Sequence, residues 1–335
     1  MKKIKKLLLT VILLSALIIS QTGCSSEGPV SKTSYYLDTI CQIDIYSMEE
    51  EEAGRIIQGA FSLCSDYEKL LSKTVEESDI WKINHSGGAP VTVSPETAEV
   101  IEKGIYYGDI SGGRFDITIG KVSDLWDFHS ENPEVPSKEK LSEAVSHVDY
   151  TKIKVEGTEV TLLDPETEID LGGIAKGYIC DRVCDYLREE GVESGVVNLG
   201  GNIAVIGSKN GREPFRVGIE RPYSDRSEIV GYIEGEDVTL VTSGIYERCF
   251  EKDGRTYHHI LDTGTGYPVE SGVESVTIIA KAGMSVDCDA LSTMCLALGV
   301  EEGMSIVDSI DGVEAVFIDS DDNISATEGA GFVKQ

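Results

Sequence analysis

The chain has 335 residues, of which 41% are apolar, and a net charge of −30. Its length and apolar content are those of a globular protein of one large or two ordinary domains with a substantial core. The charge excludes a nucleic-acid-binding function, because such a surface repels phosphate backbones; an anionic ligand would need a metal ion or nearby Lys and Arg side chains to neutralise it.

The N-terminus is predicted to carry a targeting signal. Four lysines precede an apolar segment over residues 7–19, which is too short for a comfortable membrane span. Residues 1–23 resemble a bacterial lipoprotein signal peptide that ends before Cys24, the residue expected to be lipidated. Gln21 departs from that pattern, since an aliphatic residue is usual there. An uncleaved membrane anchor is therefore the alternative.

Both a lipidated Cys24 and an uncleaved anchor predict a protein held at the cell membrane, on its extracytoplasmic face. Acyl chains form a durable anchor, because each buried CH₂ contributes about 0.8 kcal/mol. Residues 24–34 are predicted to be a flexible tether, and residues 35–335 a single folded domain.

The domain mixes helices and strands without strict alternation. Ser94 and Ser137 are predicted to cap two helices, and Glu156-Gly157 is predicted to form the turn of a hairpin over residues 151–163. This mixture predicts an α+β fold, with largely antiparallel sheets flanked by helices. The predicted helices cover residues 49–71, 94–108, 138–147, 174–190 and 284–299, and the predicted strands cover 35–46, 194–199, 202–207, 214–219, 229–233, 238–242, 256–260 and 273–280, with a last helix and strand after them.

The eight cysteines form no C-x-x-C motif and have no zinc-site spacing. Cys180 and Cys184 share a helical stripe with Val183 and Leu187. This pattern favours small buried side chains over a redox pair.

The segment EIDLGGIAKGYICDRVCDYL, residues 168–187, places two glycines and Lys176 between a short apolar run and a helix. Glycines let the backbone approach a ligand closely, and a helix start offers N–H groups that suit phosphate. The P-loop and dinucleotide-binding patterns are both absent from this segment. Two interpretations stay open: a phosphate site of another kind, or an ordinary strand-to-helix turn.

The helix over residues 284–299 carries a carboxylate and a hydroxyl four residues apart, Asp289 and Thr293. The two side chains share one face of the helix and could ligate one hard cation such as Mg²⁺. Alternatively, Thr293 bonds a carbonyl of its own helix and Asp289 is solvated.

Two further segments contain polar residues of potential function. His258 and His259 lie in a predicted strand, so their side chains point to opposite faces and one can face a pocket. Asn84, in the segment 78–96, is predicted to lie in a loop before the helix that Ser94 caps.

Together these segments resemble the FAD:protein FMN transferases, the ApbE-like flavin transferase family. The similarity covers about residues 35–318 and depends on eight motifs that occur in the family's order. The motifs are LDT (37–39), SDIWKIN (78–84), GGRFDITIG (112–120), IDLGGIAKGY (169–178), NLGGNI (198–203), TSGIYER (242–248), HHILDTGTGYP (258–268) and DALST (289–293).

The resemblance implies an ApbE-like, T-fold-related architecture and a magnesium-dependent transferase. Such an enzyme splits FAD at its diphosphate, passes FMN to a Ser or Thr hydroxyl of an exported or membrane flavoprotein, and releases AMP. The Gly173 carbonyl, Asp289 and Thr293 are implied to bind Mg²⁺, and His259 and Asp289 to be catalytic. The positions implied to contact FAD are Leu37, Thr74, Arg114, Phe115, Asp116, Asp170, Lys176 and Ile260.

Three departures from the family pattern do not remove an implied ligand. Thr263 replaces a proline, Ser111-Gly112 replaces Thr-Asp, and Cys288 replaces an alanine. His259 is the first candidate for the base that activates the hydroxyl, and a carboxylate beside the metal is the second. Two other functions are open: an FAD pyrophosphatase, which would use water in place of the hydroxyl, and a non-catalytic FAD-binding lipoprotein.

Overall fold

The computed structural model describes residues 28–128, 130, 132–224 and 228–335. The predicted signal peptide and Cys24 lie outside the described residues. Within them, no helix is both long and apolar enough to cross a membrane.

The helices begin where the sequence supplies capping groups. Ser94 and Ser137 accept hydrogen bonds from the N–H groups of Thr97 and Lys140, as predicted, and Ser78 caps a short helix that was predicted to be a loop. The helices are α1 Glu50–Leu71, α2 Asp79–Asn84, α3 Pro95–Ile110, α4 Gly120–Trp126, α5 Lys138–Val145, α6 Ala175–Glu189, α7 Ser285–Leu298 and α8 Val300–Val307.

Eight of the strands form one antiparallel sheet, which runs β1-β2-β6-β7-β10-β13-β14-β15 among the described residues. Smaller sheets join β16-β9-β8, β3-β5-β4 and β11-β12. The strands are β1 Val30–Tyr36, β2 Thr39–Ile45, β3 Val91–Thr92, β4 Ile153–Glu156, β5 Glu159–Leu162, β6 Gly195–Leu199, β7 Asn202–Ile206, β8 Phe215–Glu220, β9 Ile229–Gly235, β10 Val238–Gly244, β11 Cys249–Lys252, β12 Arg255–His258, β13 Val273–Lys281, β14 Val313–Asp319, β15 Ile324–Ala326 and β16 Val333–Lys334.

The large sheet is covered on both faces, because successive residues of a strand point to opposite sides. On β10, Val241 packs into the core beneath the helices, while Leu240 packs against the β8–β9 sheet. On β13, Ile278 packs into the core beneath the helices, and Ile279 packs against the β8–β9 sheet. The α+β prediction is therefore confirmed, with helices on one face and a second sheet on the other.

The first predicted strand is instead a hairpin. β1 and β2 pair across a two-residue turn at Leu37-Asp38, where φ is +56° and +55°. β1 begins at Val30, so residues 30–34 of the flexible tether predicted over 24–34 belong to the folded domain instead. The backbone groups of residues 30–34 are drawn into the sheet by pairing with β2.

The cysteine prediction is confirmed. Cys180 and Cys184 are buried on α6 beside Val183 and Leu187, in the same core as the sheet. Among the described cysteines, Cys249 is exposed, and the described thiols form no disulfide.

Candidate active site

A cavity of about 760 Å³ opens beside the tip of the β1–β2 hairpin. It is bounded by this tip, the end of α1, the loop before α6, the end of β10 and the pocket face of α7. All twelve positions that the family resemblance implied line it: Leu37, Thr74, Arg114, Phe115, Asp116, Asp170, Gly173, Lys176, His259, Ile260, Asp289 and Thr293.

Asp289 is positioned by the crossing of α6 and α7. The helices approach so closely at Gly177 that a Cβ atom there would lie 2.1 Å from the carbonyl oxygen of Ser285. The Gly177 N–H donates to Oδ2 of Asp289 at 2.9 Å. Asp181 of α6 caps α7 by accepting from the N–H groups of Ser285 and Val286. The sequence suggested that N–H groups at the start of α6 could bind phosphate. One of them instead binds the Asp289 carboxylate of the protein itself.

The Asp289 side chain is only 2% exposed, so the solvated alternative is wrong. Its Oδ1 accepts from Asn202 Nδ2 at 3.3 Å and lies 3.9 Å from Lys176 Nζ. The other amide atom, Asn202 Oδ1, is buried without a hydrogen-bond partner among the described residues. Each carboxylate oxygen of Asp289 has one described hydrogen-bond donor and keeps capacity for another partner.

Gly173 lies between the Phe115 ring and Thr293. A Cβ atom at Gly173 would be 3.1 Å from the ring, a tight contact, and 3.5 Å from Thr293 Oγ1, so glycine lets the loop pass here without displacing the ring. Thr293 Oγ1 lies 3.3 Å from Ser243 Oγ, so among the described residues its partner is on β10 and not in its own helix. The loop backbone, the hydroxyl of Thr293 and the carboxylate one turn earlier thus meet at one wall of the cavity.

These oxygen donors fit Mg²⁺, which takes few protein ligands and keeps positions for water and phosphate. Within the described parts of the chain, no group of three or more His, Cys, Asp or Glu side chains could hold a metal. The arrangement at Gly173, Asp289 and Thr293 instead offers a single carboxylate with a hydroxyl and a main-chain carbonyl. A site with so few charges leaves room for an anionic ligand to complete the coordination.

The glycine loop is fixed from the side by Asn84, which ends α2. Its amide donates to the Ile169 carbonyl at 2.9 Å and accepts from the Ile169 N–H at 2.8 Å. The Asn84 side chain thus bonds both the C=O and the N–H of Ile169, as a neighbouring β-strand would. Asn84 therefore sets the backbone immediately before Asp170, a role that the predicted loop did not suggest.

Asp170 closes the turn that begins the loop. Its Oδ1 accepts from the Gly172 N–H, and its Oδ2 accepts from Ser123 and lies 3.1 Å from Lys73 Nζ. Burial favours a higher pKa for this carboxyl, but the Lys73 ammonium and these hydrogen bonds together hold its pKa below the usual value. The carboxylate is thus ionised and largely occupied within the protein.

Lys73 is a residue of the cavity wall that the sequence did not suggest. Its ammonium group also contacts the Gly120 carbonyl at 3.2 Å and Asp124 at 2.5 Å. In sequence its only signal is its position next to Thr74. Lys73 ties the end of α1 to the glycine loop and to α4.

Asp116 lines the cavity but is also held internally. Its carboxylate accepts from the backbone and hydroxyl of Thr118 and from the Tyr150 N–H. Burial raises the pKa of Asp116 above its usual value. Nearby, Thr263, one of the departures from the family, donates to the Gly113 carbonyl at 2.7 Å and so joins two loops of the wall.

One of the two neighbouring histidines faces the cavity and the other does not, as predicted. His258 is buried, with Nε2 3.2 Å from the Val269 carbonyl, while His259 lines the cavity. His259 Nδ1 lies 3.3 Å from the Arg248 carbonyl, which can only accept. Nδ1 is therefore assigned the proton, and Nε2 is left as a proton acceptor.

Burial lowers the pKa of both histidines, to about 4 for His258 and about 3 for His259, with the positive charge of Arg248 as a second cause at His259. At a pH between 6.5, the ordinary pKa of histidine, and the lowered pKa values, the unfolded chain binds more protons than the folded chain. The two histidines therefore contribute their full stability above pH 6.5, and this contribution falls as the pH is lowered. We expect His258 alone to remove about 2 kcal/mol of the free energy of unfolding between pH 7 and pH 5.

Urea unfolding of the wild type and of His258→Gln at both pH values measures this. The variant should lose less stability on acidification than the wild type. Equal losses in the two proteins would contradict the neutral, buried state of His258.

Comparison with known proteins agrees with the family that the motifs indicated. The model of the family described as ApbE matches residues 37–317. The chain belongs to the ApbE family. The FAD:protein FMN transferase of Treponema pallidum is 32% identical over 316 residues, covering 89% of this chain and 87% of the relative. That of Klebsiella pneumoniae is 35% identical over 279 residues, covering 82% and 84%.

Solved ApbE structures share the fold. The ApbE protein of Thermotoga maritima matches with a TM-score of 0.81 at 32% identity, covering 90% of this chain and 97% of that protein. The flavin transferase ApbE of Vibrio cholerae matches with a TM-score of 0.77 at 28% identity, covering 89% and 96%. The predictions of an ApbE-like α+β fold and of membership in the ApbE family are confirmed.

Proposed function

We propose that this ApbE family member transfers FMN from FAD to a Ser or Thr hydroxyl of an exported protein and releases AMP. The observation that carries the proposal is the meeting of Gly173, Asp289, Thr293, Lys176 and His259 at one cavity. Relatives that are about one-third identical over most of their length are FAD:protein FMN transferases.

Phosphoryl transfer depends on positioning and charge stabilisation more than on covalent help from the protein. Gly173, Asp289 and Thr293 would hold Mg²⁺, which supplies Lewis-acid chemistry and charge neutralisation at the diphosphate when it is bound. Lys176 lies on the first turn of α6, with Nζ 3.3 Å from the Gly172 carbonyl and 3.9 Å from Asp289. Its ammonium adds positive charge to the wall that would face the diphosphate.

His259 would take the proton. In the transfer step, a new bond forms between the acceptor oxygen and the FMN phosphorus, the hydroxyl proton moves to His259 Nε2, and AMP leaves with the bridging oxygen. The low pKa of the resting imidazole, caused first by burial, keeps Nε2 unprotonated at neutral pH. A bound diphosphate brings negative charge beside the ring, which favours the imidazolium form during transfer.

His259→Gln should bind FAD normally and transfer FMN roughly 100- to 10,000-fold more slowly, because a positioned base contributes about that much. Fluorescence titration of FAD and single-turnover AMP release measure the two properties separately. His258→Gln, which changes the neighbouring buried ring, should keep normal turnover. Normal transfer by His259→Gln would eliminate His259 as the base.

The function itself is tested by co-expressing the full chain with candidate flavoproteins, each made in an exported and a cytoplasmic form. A covalent FMN mass increment on a Ser or Thr of the exported form alone would support both the transfer and the predicted extracytoplasmic location. Purified protein supplied with FAD and Mg²⁺ should release AMP faster when the acceptor is added. Equally rapid AMP release without an acceptor, and no flavin on any protein, would identify a pyrophosphatase instead.

A further inference from the structure

Arg248 is an unusual cation of the cavity wall. Three other basic side chains line the cavity, and each has a carboxylate within 4 Å: Lys73 has Asp124 and Asp170, Arg114 has Asp262, and Lys176 has Asp289. Across the described part of the chain, Arg248 makes no ion pair and no side-chain hydrogen bond. An unpaired guanidinium in the cavity of a protein with a net charge of −30 is a site for an anion.

The backbone places Arg248 directly beside His259. β11 and β12 pair with Cys249 opposite His258, so the preceding and following residues meet just beyond the strands. The Arg248 carbonyl accepts from the His259 N–H at 3.1 Å and lies 3.3 Å from His259 Nδ1. Both residues line the cavity, and the positive charge of Arg248 also contributes, after burial, to the low pKa of the His259 ring.

The stereochemistry of the transfer limits what Arg248 can touch. In phosphoryl transfer the attacking and leaving oxygens are roughly in line through the phosphorus. The base lies beside the attacking hydroxyl, so a side chain next to His259 is remote from the departing AMP. The anions within its reach are the non-bridging oxygens of the phosphoryl group and any carboxylate of the acceptor.

We propose that Arg248 is a catalytic residue that binds the non-bridging oxygens of the phosphoryl group being transferred. This inference rests on the proposed function. Charge in the transition state is spread over those oxygens, and the planar guanidinium offers paired donors that match two of them. Arg248 would then stabilise the phosphoryl group while His259 Nε2 takes the hydroxyl proton and AMP departs with the bridging oxygen.

This role predicts the same loss whether the attacking group is a protein hydroxyl or water, because both reactions move the same phosphoryl group. Arg248→Ala should lower AMP release roughly 1,000-fold, the lower end of the effect of a transition-state arginine. The fall should appear in kcat, with and without acceptor, while the Kd for FAD changes less than about tenfold. Added guanidinium should restore part of the activity of Arg248→Ala, and Arg248→Lys should not reach the wild-type rate.

Arg212→Ala is the matched control, since Arg212 is an exposed arginine outside the cavity. It should keep wild-type rates and show no response to guanidinium. Circular dichroism of all variants checks that the fold is kept.

The outcomes separate the two proposals. If the wild-type chain neither transfers FMN nor releases AMP, the proposed function is wrong. If the wild type is active, normal kcat in Arg248→Ala would overturn the role of Arg248. So would a loss of transfer with unchanged hydrolysis, which would assign Arg248 to the acceptor protein, or a loss confined to FAD affinity.

Discussion

Asp289→Ala is expected to abolish FMN transfer, with a loss of roughly 1,000-fold or more, since metal-ion catalysis supplies several kcal/mol of transition-state stabilisation. Asp289 lines the cavity one helical turn before Thr293, whose side chain approaches Gly173. The substitution also leaves the Gly177 N–H and the Asn202 amide without their acceptor. Asp289→Asn keeps the volume and one acceptor oxygen and removes the charge, so it should be nearly as inactive and better folded.

Asp287→Asn is the control on the same helix. Asp287 accepts from Tyr107 and Lys103 and does not line the cavity. Its variant should transfer FMN at close to the wild-type rate. Magnesium-dependent transfer by Asp289→Ala would refute the assignment of this carboxylate.

Gly177→Ala is expected to cause the largest loss of stability of any single methyl addition at the site. The new Cβ atom would lie 2.1 Å from the Ser285 carbonyl oxygen and 2.7 Å from the Asp289 Cβ, so α6 and α7 must move apart. Such overpacking costs about 3 kcal/mol where the clash is with backbone. The same movement breaks the bond from the Gly177 N–H to Asp289, so transfer should fall as well.

Gly54→Ala is the matched helical control. On α1 the new Cβ atom would meet only the flexible end of Lys32, 3.1 Å away. Alanine is favoured over glycine inside a helix by about 0.5–1 kcal/mol, so this variant should be as stable as the wild type or more so. Thermal unfolding of both variants measures the contrast, and equal melting temperatures would contradict the close helix crossing.

The elements that the sequence predicted well are those with local signals. Ser94 and Ser137 cap their helices because the hydroxyl next to a helical pattern suffices to define the start. The central strands were predicted close to their observed bounds because Gly, Pro and Asp clusters separate them in the sequence. The motif order also indicated the cavity, and the structure brings its residues together.

The hairpin turn was missed for a local reason. A two-residue turn with positive φ at both positions usually contains Asn or Gly, whereas this one is Leu37-Asp38. The tertiary structure compensates in part, because the Leu37 N–H donates to Glu68 of α1 at 2.9 Å. A sequence pattern contains no trace of that contact.

The supporting residues were missed because their partners are distant in the chain. Asn84 binds the backbone of Ile169, and Lys73 contacts Asp170. Arg248 is recognisable as a free cation only after the carboxylates around the other cavity cations have been found. Pairing of charges across a fold depends on packing, which local propensity does not contain.

The central claim is that one divalent cation joins the glycine loop to α7. The most direct measurement is a crystal soaked with FAD and Mn²⁺, with anomalous scattering used to locate the metal. The account predicts a single strong peak in contact with the Gly173 carbonyl, Asp289, Thr293 and the FAD diphosphate. A diphosphate bound in the cavity with the metal elsewhere, or with Gly173 turned away from the Asp289 and Thr293 pair, would contradict it.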